Sequence, residues 1–287
     1  RESPSGALGT PSPFSASAVT LRASARVEYR SHPPREIAPK EHHAALPTAD
    51  DVGSFGPDAA HVMLYWPIRT ILRPLVLLFF RPRVRGLDNV PRRGPVILAS
   101  NHLSALDPVF LAVLVPRRIA FLAKDEFFNG KGLKGAIVRR FMYAVGQLPI
   151  DRSGGTSSAR TLNAGATHVV DGKALGIYPE GTRSPDGRLY RARTGIARLA
   201  LDTGAPVVPL AMIGTGEILE RGRLLPRMRR FELRVGTPLR FERPDDEPTA
   251  ATLRSVTDEI GDAIHALSGQ EYVDTYASQA RRSRPAS

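Results

Sequence analysis

His102 and Asp107 are the residues of this 287-residue chain best suited to move a proton. They stand five positions apart in Asn101-His102-Leu103-Ser104-Ala105-Leu106-Asp107. A histidine serves as a general base near neutral pH, and a carboxylate on its other ring nitrogen fixes the tautomer and steadies the cation that forms. In a turn that enters a helix, this spacing lets the aspartate fold back toward the imidazole. The same spacing admits a structural reading, because Ser104 and Asp107 match a helix capping box with Asp107 at the third helical position. The segment alone leaves both readings open. No Gly-x-Ser-x-Gly elbow is present, so the hydroxyl on which such a base acts has to come from a substrate.

A second polar segment, Tyr178-Pro179-Glu180-Gly181-Thr182-Arg183-Ser184, combines a rigid turn, a carboxylate, a flexible glycine, a hydroxyl and a guanidinium. Arginine grips phosphate through two parallel bonds, so a phosphate cradle is one reading. A surface loop in which Arg183 pairs with Glu180 is the other. Each polar segment follows a short apolar run, 95–99 and 174–177, that reads as a buried strand. Both therefore sit at strand ends, where open α/β sheets bind their ligands.

Apolar runs suited to strands alternate with helical patterns, which indicates a mixed, mostly parallel α/β sheet flanked by helices in a single domain. The expected strands are 96–99, 119–123, 146–150, 175–178, 207–213 and 231–235. The expected helices are 107–115, 132–145, 157–171, 195–203 and 248–267. Segment 62–80 is the most apolar in the chain, yet it contains Arg69, Arg73, Pro67 and Pro74. A central arginine argues against a membrane span. On a helix, Leu64, Ile68, Ile71, Leu72, Leu75 and Phe79 share one face while Arg69 and Arg73 lie on the other beside Trp66. Two readings remain: an interfacial helix anchored by Tyr65, Trp66, Arg81, Arg83 and Arg85, or an amphipathic helix packed on its own core. Pro74 is expected to kink or split it.

Residues 1–57 are rich in Ser, Ala, Pro and charge without a sustained period, and are expected to be a disordered tail. The division expected is that tail, an amphipathic helical segment at 58–83, a catalytic domain at 84–269 and a disordered basic tail at 270–287. The opening Arg1, with no secretory signal pattern, reads as a truncated or unusual start of an intracellular protein. With 40 Lys and Arg against 28 Asp and Glu, the net charge of +12 calls for an anionic partner: nucleic acid, an anionic membrane surface, an acidic protein or a phosphorylated substrate. The densest basic cluster is Arg221, Arg223, Arg227, Arg229 and Arg230. The absence of cysteine excludes disulfides, thiolate metal sites and cysteine nucleophiles.

From about 84 to 239 the paired motifs resemble the PlsC-type glycerolipid acyltransferases, typified by 1-acylglycerol-3-phosphate acyltransferase. The resemblance implies that His102 and Asp107 are the catalytic pair, and that Glu180, Gly181, Thr182 and Arg183 bind the phosphate end of the acceptor. It adds Lys124, after the second expected strand, and Arg152, in Pro149-Ile150-Asp151-Arg152, as further substrate contacts. Ala205-Pro206-Val207-Val208-Pro209 is similar to the last block of the family. The resemblance also implies an N-terminal amphipathic helix pair on the membrane, which favours the interfacial reading of 62–80.

The reaction so implied is acyl transfer from acyl-CoA or acyl carrier protein to a lysophospholipid hydroxyl in phospholipid biosynthesis, with no metal and no cofactor beyond the thioester co-substrate. Backbone amides at the start of the helix after His102 are the expected oxyanion donors. The implied setting is peripheral or monotopic attachment to anionic lipid on the cytoplasmic face of the cell membrane. Other acceptors remain open: glycerol 3-phosphate, another lysophospholipid, an amino-lipid or a glycolipid. So does hydrolysis by the same histidine. A basic nucleic-acid-binding protein is the rival from another class, but it accounts for neither motif, and nucleic acid is not an expected partner.

Overall fold

The structure, a computed structural model, describes residues 59–124, 129–144, 147–150, 157–220, 223 and 225–282. The N-terminal tail expected at 1–57 lies outside the described residues. In chain order the first elements are α1 (Ala59–Phe80), β1 (Arg83–Arg85), β2 (Val96–Ser100), α2 (Asp107–Leu114), β3 (Ile119–Lys124), α3 (Gly132–Ala144) and β4 (Gln147–Ile150). There follow α4 (Ser157–Val170), β5 (Ala174–Ile177), β6 (Leu189–Tyr190), α5 (Gly195–Thr203), β7 (Val207–Ile213), β8 (Glu232–Val235), α6 (Ala250–Ser268), β9 (Tyr272–Val273) and α7 (Ala277–Arg282).

Seven strands form one sheet in the order β1-β8-β7-β2-β5-β3-β4, and every pairing is parallel except that of β7 with β8. The mostly parallel α/β architecture is thus as expected. β2, at the centre, is buried along its whole length. Its Val96 and Leu98 pack with Phe110 and Leu111 of α2 and Val76 of α1, while Ile97 and Ala99 pack with residues of α4, α5 and α6 on the other face. A strand covered on both faces has no solvent side, which is why 96–99 reads as a continuous apolar run rather than an alternation.

The expected spans 207–213 and 195–203 coincide with β7 and α5, and the other expected elements differ at their ends by two residues or fewer. Sequence reading omits β1, β6, β9 and α7. Arg83-Val84-Arg85 is exposed and polar, and strands of two residues are too short to carry a period. The disordered tail expected from 270 is corrected over 270–282: β9 pairs in parallel with β6, and Ala277 of α7 is fully buried. Its order comes from backbone bonds and polar contacts, which composition does not register.

α1 runs unbroken through Pro67 and Pro74, so the expected split does not occur. Its facing also differs from the expected one. Tyr65, Arg69, Leu72, Val76 and Phe80 lie toward the core, whereas Ile71, Leu75, Leu78 and Phe79 are exposed. Arg69 is drawn inward because the last carbonyls of α2 lack helical partners: its guanidinium donates to Val113 O at 3.2 Å and Val115 O at 3.0 Å, and Tyr65 donates to Ala112 O at 3.1 Å. One helix therefore carries both a packed stripe and an open apolar stripe. Among the described residues no helix is long and apolar enough to cross a membrane.

Gly176 in β5 opposes Phe121 of β3, and a Cβ there would lie 2.2 Å from the phenylalanine ring. Gly176→Ala is expected to destabilise the fold by about 1–3 kcal/mol, the usual range for overpacking a filled core. Chemical denaturation measures this, and an unchanged unfolding midpoint would refute the close packing of that ring.

Candidate active site

β2 and β5 are neighbouring parallel strands with Ala99 opposite Ile177. His102 lies three residues beyond the first of these and Glu180 three beyond the second. Two loops leaving adjacent strands in the same direction and register meet without any further device. They are tied at the backbone of His102 on both sides: its N–H donates to Glu180 Oε1 at 3.2 Å, and its carbonyl accepts from Ser184 N at 2.8 Å. Arg183 precedes Ser184 directly, so the guanidinium-bearing residue and the histidine belong to one loop pair.

The His102 Nδ1 to Asp107 Oδ2 distance is 3.0 Å, with Asp107 wholly buried and His102 partly exposed. Oδ2 also accepts from Leu103 N and Ser104 N, each at 2.8 Å. Both readings of the segment hold together, since the bond to Ser104 N is half of a capping box and the same oxygen holds the imidazole. The other half of the box is missing: Ser104 Oγ accepts from Leu106 N, and Asp107 opens the helix instead of standing at its third position. The carboxylate takes the amides of 103 and 104, in the loop ahead of the helix, so these two are not free to serve as oxyanion donors.

Glu180 is 2% exposed. Its second oxygen accepts from Tyr190 N at 3.0 Å, so both oxygens meet backbone amides of neighbouring segments. Burial outweighs these two bonds and raises its pKa to about 7. Glu180 thus braces the loop of His102 from behind through backbone bonds. Gly181 has φ 75°, a left-handed conformation, and a Cβ there would lie 2.9 Å from the side chain of Arg193. A glycine is needed on both counts. Thr182 and Arg183 are part-exposed beside it. Ser184 Oγ donates to Arg188 O at 2.7 Å and accepts from Gly187 N at 3.0 Å, which closes the turn that follows.

Several residues here lie outside the sequence-based assignment. Asn101 exchanges bonds with the backbone of Met212, 2.7 and 2.9 Å, and so joins the end of β2 to β7. Its amide also donates to Gln270 Oε1 at 2.7 Å, and Gln270 Nε2 donates to Gly187 O at 2.5 Å. The ring of Tyr276 lies under the guanidinium of Arg193, which bonds Ser278. The C-terminal segment therefore clasps the turn after the second motif. Asn101 and Ser184 border recognised motifs and were open to inference; Gln270 has no local signal. Tyr178 stacks on His102 with centroids 3.9 Å apart.

Lys124 ends β3 in the strand next to β5, but its side chain lies outside the described residues, as does the whole of Arg152. Arg221 of the basic cluster does too. Arg227 and Arg229 pair with Glu220 and Glu217, each at 2.5 Å, so much of that cluster's charge is offset locally.

A carboxyl whose folded pKa lies near 7 against an ordinary 4.5 binds more protons folded than unfolded, so its contribution to stability falls as pH rises between those values. Glu180→Gln removes this dependence. The melting temperature of the variant relative to the parent chain is expected to rise from pH 5 to about pH 7 and level off above it, by differential scanning fluorimetry. A constant difference would show that Glu180 ionises without penalty.

Residues 81–213 match the profile of the family described as Acyltransferase. A chloroplast 1-acyl-sn-glycerol-3-phosphate acyltransferase, BAT2 of Brassica napus, is 32% identical over 145 residues, 50% of this chain and 40% of the relative. The 1-acyl-sn-glycerol-3-phosphate acyltransferase of Borreliella burgdorferi is 27% identical over 132 residues, 46% of this chain and 51% of the relative. The bovine alpha enzyme of the same name is 27% identical over 190 residues, 64% of each chain. The chain thus spans about two fifths to two thirds of these relatives. The crystal structure of the 1-acyl-sn-glycerophosphate acyltransferase PlsC from Thermotoga maritima superposes with a TM-score of 0.56 at 23% identity, over 79% of this chain and 83% of that one. By profile and by relatives, and with the fold in common, the chain is similar to the PlsC-type glycerolipid acyltransferases.

Proposed function

We propose that the protein transfers an acyl group from acyl-CoA or acyl carrier protein to the free hydroxyl of a lysophospholipid, 1-acylglycerol 3-phosphate giving phosphatidate. The bond between His102 and Asp107, beside the loop that carries Arg183, is the observation behind this reading. With the carboxylate accepting from Nδ1–H, Nε2 presents a lone pair and takes the proton of the acceptor hydroxyl as its oxygen attacks the thioester carbonyl. The tetrahedral intermediate collapses by breaking the C–S bond, and the departing thiolate recovers the proton from the imidazolium. No redox step or metal enters this scheme, and the thioester is a co-substrate.

Arg183 and Thr182, with Lys124 and Arg152, are the proposed grip on the acceptor's phosphate. Arginine suits that task because its fork meets two phosphate oxygens at once. Glu180 and Gly181 shape the loop that presents them. Relatives named for 1-acyl-sn-glycerol-3-phosphate support this acceptor over glycerol 3-phosphate, other lysophospholipids, amino-lipids or glycolipids.

The proposed location is the membrane surface, on its cytoplasmic face. α1 exposes Ile71, Leu75, Leu78 and Phe79, and α3, which contacts it, exposes Leu133, Ile137 and Phe141. Exposed apolar side chains on two touching helices are unusual for a surface facing only water. Arg73, Arg81, Arg83, Arg139 and Arg140 are exposed on or beside these helices, and each basic residue near an anionic bilayer adds about 1 kcal/mol of attraction.

Purified protein with an acyl-CoA panel, lysophosphatidate and glycerol 3-phosphate is expected to release thiol and form acylated lipid in equal amounts. His102→Ala should lower the rate by ~10²–10⁴, the usual worth of a general base. Arg183→Ala should chiefly raise the acceptor KM. Thiol release without acylated lipid would replace the transferase by a hydrolase, and full turnover by His102→Ala would remove the imidazole from the reaction. In flotation with anionic vesicles, Ile71→Glu with Leu78→Glu and Ile137→Glu should leave most of the protein in the soluble fraction at an unchanged melting temperature. Undiminished flotation would exclude this face.

A further inference from the structure

The imidazole of His102 is held at its edge by Asp107 and across its face by Tyr178. The Tyr178 ring lies 3.9 Å from it, centroid to centroid, at 13° between planes. Behind it Phe121 lies 5.7 Å away at 16°, so three rings form a column. Each comes from a different element: Phe121 from within β3, Tyr178 from the end of β5 and His102 from the end of β2. The column reaches into the core where Gly176, lacking a side chain, leaves room for Phe121.

The phenol hydroxyl takes no part in the chemistry by its own proton. Its oxygen is buried and has no hydrogen-bond partner among the described residues. Burial first, and the nearby Asp107 carboxylate second, push its ionisation well above the usual tyrosine range. What Tyr178 offers His102 is therefore the face of a neutral ring.

A single bond at Nδ1 sets where the imidazole begins but leaves it free to tilt about the Nδ1 to Oδ2 line. A ring stacked on its face removes that tilt, and the two restraints together set the direction of Nε2. We propose that Tyr178 is the positioning residue of the base, acting through ring contact, with the hydroxyl dispensable. This rests on the function proposed above for its kinetic consequence, though not for the contact itself.

The experiment compares Tyr178→Phe with Tyr178→Leu in the full chain, with Tyr178→Met in place of the leucine variant if that one fails to fold. Two readouts are taken: acyl-transfer kinetics, and NMR of the His102 ring in histidine-labelled protein, assigned by the loss of its signals in His102→Ala. The phenylalanine variant should keep kcat within twofold and melt at or above the parent temperature, since it removes an unpartnered buried oxygen. The leucine variant should lose tenfold or more in kcat with donor and acceptor KM within twofold. Its His102 ring protons should lose their ring-current shift and broaden as the ring tilts about the Nδ1 to Oδ2 line, with the tautomer still fixed by Asp107. A folded leucine variant with the parent's His102 spectrum overturns the proposal whether or not the protein is an acyltransferase. So does parental kcat in that variant, or a phenylalanine variant as impaired as the leucine one. Absence of acyl transfer in the parent chain bears on the proposed reaction instead, and the NMR comparison then decides the positioning role.

Discussion

Parallel pairing of β2 with β5, in the register that sets Ala99 opposite Ile177, is the constraint on which the site depends. Two strands side by side and pointing the same way deliver their next residues to the same edge of the sheet. The loop contacts then need no long reach: Glu180 meets the amide of His102, and Ser184 meets its carbonyl. A slip of one residue would turn every side chain of the strand to the opposite layer, so the two buried faces that hold β2 also hold the histidine in place.

The site is built with little division between support and chemistry. One oxygen of Asp107 closes the turn into α2 and orients the imidazole. Glu180, which might be taken for a ligand-binding carboxylate from its setting in a polar motif, joins the loop of His102 to β6. Its raised pKa tells which effect wins there, because hydrogen bonds to a carboxylate favour its charge and only a larger cost of burial can push the value to about 7. Backbone geometry at this site is thus maintained by two buried carboxylates, Asp107 and Glu180.

The strands and helices around the site were legible in the sequence wherever burial imposed a pattern. β7 and α5 coincide with their expected spans because β7 is buried almost end to end and α5 buries one apolar face while Arg198 and Asp202 stay exposed. The pair of loops was legible for the same reason, as both follow apolar runs. What escaped reading depends on contacts between distant segments. Nothing near Gln270 announces that its amide joins Asn101 to Gly187, and nothing in Arg69 announces that it turns inward to the end of α2. The part played by Tyr178 was hidden differently: the residue stands in a recognised motif, but a ring stacked on a ring leaves no trace in spacing.

Arg69 and Tyr65 bond the last carbonyls of α2, and Gln270 bonds the asparagine next to His102. All three lie outside residues 81–213, the stretch that matches the family profile. Recognition of kinship and physical self-sufficiency are accordingly different boundaries in this molecule. A fragment trimmed to the matched stretch would leave a helix terminus and the loop of His102 without the groups that satisfy them, and so would keep the signature while losing its supports.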